Sequence, residues 1–245
     1  MMSTDGNSIY HALQTRYEHR LSKGLSFTAA YAWSHNIDDT VGSTNSGGCG
    51  CQNPRNRGRA ERASSVNDIR HRLVVGYYWE LPFAQLPPGA TRVFLGGWSL
   101  GGIVTLQNGS PIEVSQSGDS QNRDGSPQRP NLVPGQKAAI PSADRNPDRY
   151  FNTAAFSRSV LAYGNSPRNP LVGRGLKTFD LSVSKAFRMP FREAHQLLFR
   201  AEFFNAFNTP QFGNPGSSLG TASFGRLTSL KSDQRQIQVA LKYFF

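Results

Sequence analysis

Apolar and polar residues alternate over several stretches of this chain, and a period of two predicts strands rather than helices. The clearest run is LSFTAAYAWSH, where Leu25, Phe27, Ala29, Tyr31 and Trp33 share one face and Ser26, Thr28, Ala30, Ala32 and Ser34 the other. Before it, Ile9, Leu13 and Tyr17 oppose Tyr10, Gln14, Arg16 and Glu18, and the turn LSKG offers a glycine where the chain reverses. The same period sets Leu73, Val75, Tyr77, Trp79 and Leu81 on one face of a third strand. A fourth carries Trp98, Leu100, Val104 and Leu106, with Ile103 out of step; a fifth carries Phe179, Leu181 and Val183. Leu197, Phe199, Ala201 and Phe203 mark a sixth, and Ile237, Val239, Leu241, Tyr243 and Phe245 a seventh. Strands are thus expected near 8–20, 25–35, 68–82, 97–108, 175–187, 194–207 and 234–245, pairing antiparallel in sequence order as an all-β, up-and-down meander.

The links between these strands sharpen the picture. Those near 21–24, 82–97 and 188–194 are short or moderate; those near 36–66, 109–174 and 206–233 are long and rich in Gly, Ser, Asn, Pro and Arg. Strict alternation of short and long links matches a membrane barrel, with turns at one rim and loops at the other. Long structureless loops weigh against a soluble sandwich. Strands of about 9–11 residues cross a bilayer when tilted. One side of the sheet, bearing Leu25, Phe27, Tyr31, Trp33, Val75, Tyr77, Leu181, Phe199, Ala201, Val239 and Leu241, is then expected to face lipid and to look exposed. Rings favour headgroup depth. A girdle is therefore expected, with Trp79, Trp98 and Phe187 level with Tyr243 and Phe245 at one rim and Tyr31, Trp33 and Phe207 at the other.

Composition agrees with a wet-and-greasy sheet. Only 37% of the 245 residues are hydrophobic, with 24 Gly and 15 Pro. No run of about 18 apolar residues offers a membrane helix. The formal charge of +11 suits nucleic acid or an anionic membrane surface. With no RNA-binding aromatic motif, zinc-finger spacing or basic helix, nucleic acid is not expected as a partner. The opening MMSTDGNSIY has no charged segment leading into an apolar one, so no signal peptide is expected.

Candidate chemistry is sparse. Cys49 and Cys51 are too few for a closed zinc site, and a tight disulfide in an exposed loop is expected. Asp119, Asn122 and Asp124 fail calcium-loop spacing. His11, His19, His35, His71 and His195 are scattered, without metal or nucleophile motifs. No cofactor is expected, and nothing argues for catalysis. Arg200 and Glu202 sit two apart on one strand, hence on one face, and are expected to line a polar lumen. Arg55, Arg57, Arg59 and Arg62 form a basic loop suited to lipopolysaccharide phosphates or plain solvation.

Two resemblances follow from these residues. The ending, with Ile237, Val239, Leu241, Tyr243 and a final Phe245, resembles the carboxyl-terminal assembly signal of outer-membrane proteins, which the barrel-assembly machinery reads. The ordered set YHALQTRYEHRLSKGLSFTAAYAWSHNIDD, NDIRHRLVVGYYWELPF, GGWSLGGIVTLQNGSPIEV, RPNLV, YFNTAAFS and FRAEFFNAFNTPQFGNP resembles the last part of Oar-like TonB-dependent receptors, over nearly the whole chain. That resemblance implies a plugged barrel of about 22 strands in the bacterial outer membrane, moving a substrate inward with TonB. Lipid and lipopolysaccharide would surround it, and TonB would act only through the plug. Seven strands are about a third of such a barrel. Plug, TonB box and signal peptide have no counterpart here, so a carboxyl-terminal fragment is expected. The alternatives are a self-standing surface barrel or adhesin closed by oligomerisation, and a secreted β-sandwich that binds carbohydrate. The transported substrate is not legible.

Overall fold

The structure is a computed structural model describing all residues except 1–5, 40–50, 54–59, 86–88, 119, 121, 123–127 and 189–194. Its long strands are β1 (Ser8–Ser22), β2 (Leu25–Asp38), β3 (His71–Glu80), β4 (Trp98–Gln107), β5 (Leu176–Arg188), β6 (Gln196–Phe204) and β7 (Gln236–Phe244). Each pairs antiparallel with the next in chain order, and the two-residue strand Ala63–Ser64 joins β2. Every expected strand is present within a few residues of its expected ends. The sheet is open, since β1 and β7 each pair on one side only.

Residues directly opposite one another share a face, so the register settles which side each occupies. Phe27, Tyr77, Gly102, Leu181, Phe203 and Ile237 form one continuous row. The neighbouring rows on that face hold Leu25, Val75, Tyr31, Trp33, Phe199, Ala201, Val239 and Leu241. All the residues assigned to an apolar face therefore share one side. No further sheet among the described residues has more than two strands. Among the described residues no second sheet packs on the apolar side, and the β-sandwich alternative fails. Exposure is uneven: Val239 and Leu241 are open, most others are half-covered by their cross-strand neighbours, and Ala201 is buried at 8%. Its methyl group lies between Val183 and Val239, which overshadow it. Ile103, out of step in the pattern, faces the opposite, polar side and is half exposed.

The first turn is as short as a hairpin allows. Lys23 and Gly24 both have positive φ, 51° and 82°, which matches the twist of the flanking strands. A Cβ on Gly24 would sit 2.6 Å from the Glu80 carbonyl oxygen, so glycine is required there. The link from β3 to β4 is different, and its structure was not legible. It contains a 3-10 turn (Pro82–Gln85) and a short helix, α1 (Ala90–Leu95).

The long links correct the expectation most. They are not structureless. Ile112, Val114, Tyr150, Phe151, Ala155, Phe156, Leu171 and Leu227, all in loops save for short ladders, form the hydrophobic core of the molecule. Phe151, Phe156 and Phe224 meet edge to face at 5.8, 5.1 and 6.0 Å between ring centres. Small ladders tie the segments together: Pro111–Ile112 with Leu171–Val172, Asn131–Leu132 with Phe156–Ser157, and Ser115–Gln116 parallel to Ser218–Leu219. The result is a consolidated cap over the long-link end of the sheet.

Candidate polar groove and loop cap

An open groove of about 760 Å³ lies on the polar side of the sheet. Two adjacent cross-strand rows build it. One runs Glu18, Thr28, Gly76, Ile103, Asp180; the other runs Ser26, Tyr78, Gly101, Ser182, Glu202. Arg20, Arg200 and Phe204 also line it, and the strand positions in between, such as Phe27, Tyr77, Gly102 and Leu181, form its floor. Glycine at 76 leaves open space, while the Tyr78 ring lies beside Gly101. Arg200 and Glu202, expected in a lumen, do line this groove, and they pair with each other at 2.6 Å. Exposed as they are, that pair is worth little to stability. Asp180 accepts a hydrogen bond from the Asn205 amide at 2.9 Å, which pins the end of β6. Both charge signs and several hydroxyls make this a surface for a polar body.

The cap is locked by buried polar contacts between separate loops. Arg129 donates two hydrogen bonds to the Glu61 carboxylate, at 2.7 and 3.0 Å, with side chains only 2% and 0% exposed. Gln52 bridges the same loops, accepting from the Arg129 amide and donating to the Gly164 carbonyl, both at 2.8 Å. Arg168 clamps Asp38 at the end of β2, and Asn169 donates to the Ser64 carbonyl at 2.7 Å. Burial holds the Arg168 guanidinium below its ordinary pKa. The last loop is joined by Tyr150 N–H to the Gly225 carbonyl and Leu227 N–H to the Pro147 carbonyl, at 2.8 and 2.7 Å. Buried Asp68 accepts from the Asn36 amide and Arg70 and meets the His35 ring, which fixes 65–70 on β2. Burial raises the Glu113 carboxyl above its usual range, with nearby Arg129 opposing and Glu61 adding to the rise.

The other assigned residues are placed as follows. Trp79 stands opposite Leu25 beside the Lys23–Gly24 turn; Trp98 opens β4 and Phe187 lies opposite Leu197, next to the last turn. Tyr243 is opposite Leu197 as well, and Phe245 stacks on it at 6.1 Å. These five rings share the short-turn end. Trp33 is opposite Leu13 and His71, Tyr31 hydrogen-bonds His71 at 2.8 Å, and Phe207 meets Phe179 edge-on at 5.3 Å, towards the cap. Ile237, Val239, Leu241 and Tyr243 all project from the apolar face of β7 and are exposed. Cys51 is disulfide-bonded, but it is buried at 5% exposure rather than in the exposed loop expected; Cys49 lies outside the described residues. So do Asp119, Asp124, Arg55, Arg57 and Arg59; Asn122 and Arg62 are exposed.

Sequence reasoning missed the cap core and the α1 site beneath which Lys185 lies. A signal for the first was present, since YFNTAAFS contains Tyr150, Phe151, Ala155 and Phe156 within one loop otherwise poor in apolar residues. A family model described as an outer membrane beta barrel domain matches residues 1–238. No curated protein and no solved structure matches the chain. The chain belongs to that outer-membrane β-barrel family, and its place is the bacterial outer membrane.

Proposed function

We propose, with that membership as the premise, that the chain is the carboxyl-terminal sector of the barrel of an Oar-like TonB-dependent receptor. The observation that carries the reading is the open sheet: β1 and β7 each leave one row of backbone groups unpaired. Inside a bilayer such edges are untenable, because no water satisfies them. Further strands must therefore continue the barrel on both sides. The polar groove is then a slice of a lumen, and a plug outside this chain fills it and links it to TonB. The chain itself is non-catalytic, needs no cofactor and binds no nucleic acid. Its partners are lipid, lipopolysaccharide at the cap and the barrel-assembly machinery, which reads Ile237, Val239, Leu241, Tyr243 and Phe245. The full product of the gene should bind the periplasmic domain of TonB; a product that ignores TonB sinks the receptor reading.

The same open edges favour one second reading, a surface barrel closed by several copies. Detergent-extracted protein running as a ring of identical chains would select it. The assembly role has its own test. Phe245 is 91% exposed and touches the fold chiefly through Tyr243, so its deletion costs the folded sheet little. Insertion into the outer membrane of cells should nonetheless fall, and undiminished insertion removes the assembly role.

A further inference from the structure

The link between β3 and β4 occupies residues 81–97, where the link between β1 and β2 needs only Lys23 and Gly24. A helix as short as α1 is marginal in water on its own. Something holds it. Lys185 stands on the apolar face of β5, opposite Trp98 and Phe199, and only 3% of it is exposed. Its ammonium donates to the carbonyls of Val93 at 3.0 Å, Gly96 at 3.2 Å and Phe94, using all three of its N–H groups on the end of α1. It also lies 4.9 Å from the ring centres of both Trp98 and Phe187. The Trp98 indole donates to the Phe94 carbonyl at 3.0 Å. A cation thus covers the carbonyls that a helix end leaves open. Because Lys185 and Trp98 belong to the apolar face, α1 is tethered on the outside of the sheet, at its short-turn end.

The described side chains of α1, Val93 to Leu95, are the reverse of what an aqueous turn requires. Val93 is 63% exposed, Phe94 70%, and Leu95 and Phe83 are open too. They continue the apolar face through Trp98 and Phe187. We propose that this link is an interfacial lipid anchor: α1 lies along the bilayer at the short-turn rim, with Phe94, Val93 and Phe83 in the boundary between headgroups and acyl chains. Its polar backbone end is neutralised from beneath by Lys185, which leaves the apolar side chains of Val93, Phe94 and Phe83 to meet the lipid. Helices of this habit sit about 5–10 Å into that boundary. The anchor fixes the height of the rim without adding a strand. It rests on the apolar face being the lipid face, which is checked separately below.

The test is depth measurement by electron paramagnetic resonance. The protein is purified from outer membranes, reconstituted in phosphatidylethanolamine–phosphatidylglycerol vesicles, and nitroxide-labelled at single cysteines after Cys49→Ser and Cys51→Ser. A label at Phe94→Cys should collide several-fold more with oxygen than with a water-soluble nickel chelate, and Lys185→Met should shift it toward the chelate. A label at Lys23→Cys should read as aqueous and one at Val75→Cys as deep lipid. A chelate-dominated signal at position 94 overturns the anchor, and so does low collision with both reagents, which would mean α1 is covered by protein. If position 75 itself reads as aqueous, the lipid-face assignment has failed rather than the anchor alone.

Discussion

Val75, in the middle of β3, and Val114, in the loop that follows β4, are the same side chain in opposite circumstances. Val75 is half-buried by its cross-strand neighbours on a face that no second sheet covers among the described residues, while Val114 is completely buried among Phe151, Phe156 and their neighbours. The difference follows from solvent. In lipid, a valine gains little by finding another valine, because acyl chains are equally apolar. The sheet is held instead by its unbroken backbone ladder, which lipid enforces. The loops at the other end face water and must bury apolar area to order themselves. They have done so, with a core and with charge pairs such as Arg129–Glu61 that tie distant segments. One chain therefore carries two stabilising mechanisms at two heights.

If the two mechanisms are separate, removing the cap core should leave the sheet standing. Phe151→Ala deletes the most deeply buried ring of the mutually packed trio, and a buried Phe→Ala change costs about 3–5 kcal/mol. Limited proteolysis of membranes should then nick the loops between β4 and β5 and between β6 and β7. The membrane-embedded sheet should keep its heat-modifiable migration in gels. Loss of that migration together with the cap would show one cooperative unit and dissolve the comparison.

The two regions were unequally legible in the sequence for the same physical reason. Lipid-facing strands obey period two, so residues from Leu25 to Trp33 or Ile237 to Tyr243 announce their faces directly. Ile103 broke step, and it does face the groove. The cap obeys no period. Its core residues come from positions such as 112, 151, 171 and 227, brought together by non-local contacts that no local pattern encodes. The Arg129–Glu61 pair, separated by 68 residues, is equally invisible. Arg200 and Glu202 were legible as groove-facing because both sit on one strand; Lys185 was not, because its apolar-face position is meaningful only beside α1.

Adjacent residues test the sheet more finely than distant ones. Val75 and Gly76 are neighbours on β3, yet one faces the apolar side and the other the groove, where a new Cβ meets nothing within 4 Å. Arginine at a lipid-facing midplane position costs about 2–4 kcal/mol, and lumen positions are far more tolerant. Val75→Arg should lower the urea midpoint of the reconstituted protein by a corresponding amount, and Gly76→Arg should leave it close to the parent. Equal losses would mean that both faces meet the same surroundings, which a barrel sector does not allow.

The smallest effect expected is a pH dependence confined to the cap. Glu113 is held above its ordinary carboxyl pKa mainly by burial; the Arg129 guanidinium pulls it down and the Glu61 carboxylate pushes it up. A raised folded-state pKa means that the folded cap binds the proton more tightly than the opened one. The stabilisation is then fully present below the ordinary carboxyl value of 4.5 and is lost as pH rises through the higher folded value. At neutral pH the parent bears the net cost of an ionised, partly desolvated carboxylate. Glu113→Gln removes that cost while keeping shape, so its cap should resist protease longer than the parent's at pH 7. The advantage should shrink steadily on acidification and vanish below about pH 4.5, the point at which both proteins are neutral at position 113. The sheet's urea midpoint should not move at either pH, since this group belongs to the cap and is not among the residues that line the groove. Protease half-lives of parent and variant measured across that range decide it: a variant that is weaker at pH 7, or an advantage that persists in acid, would place the strain in the cap somewhere other than at this carboxylate.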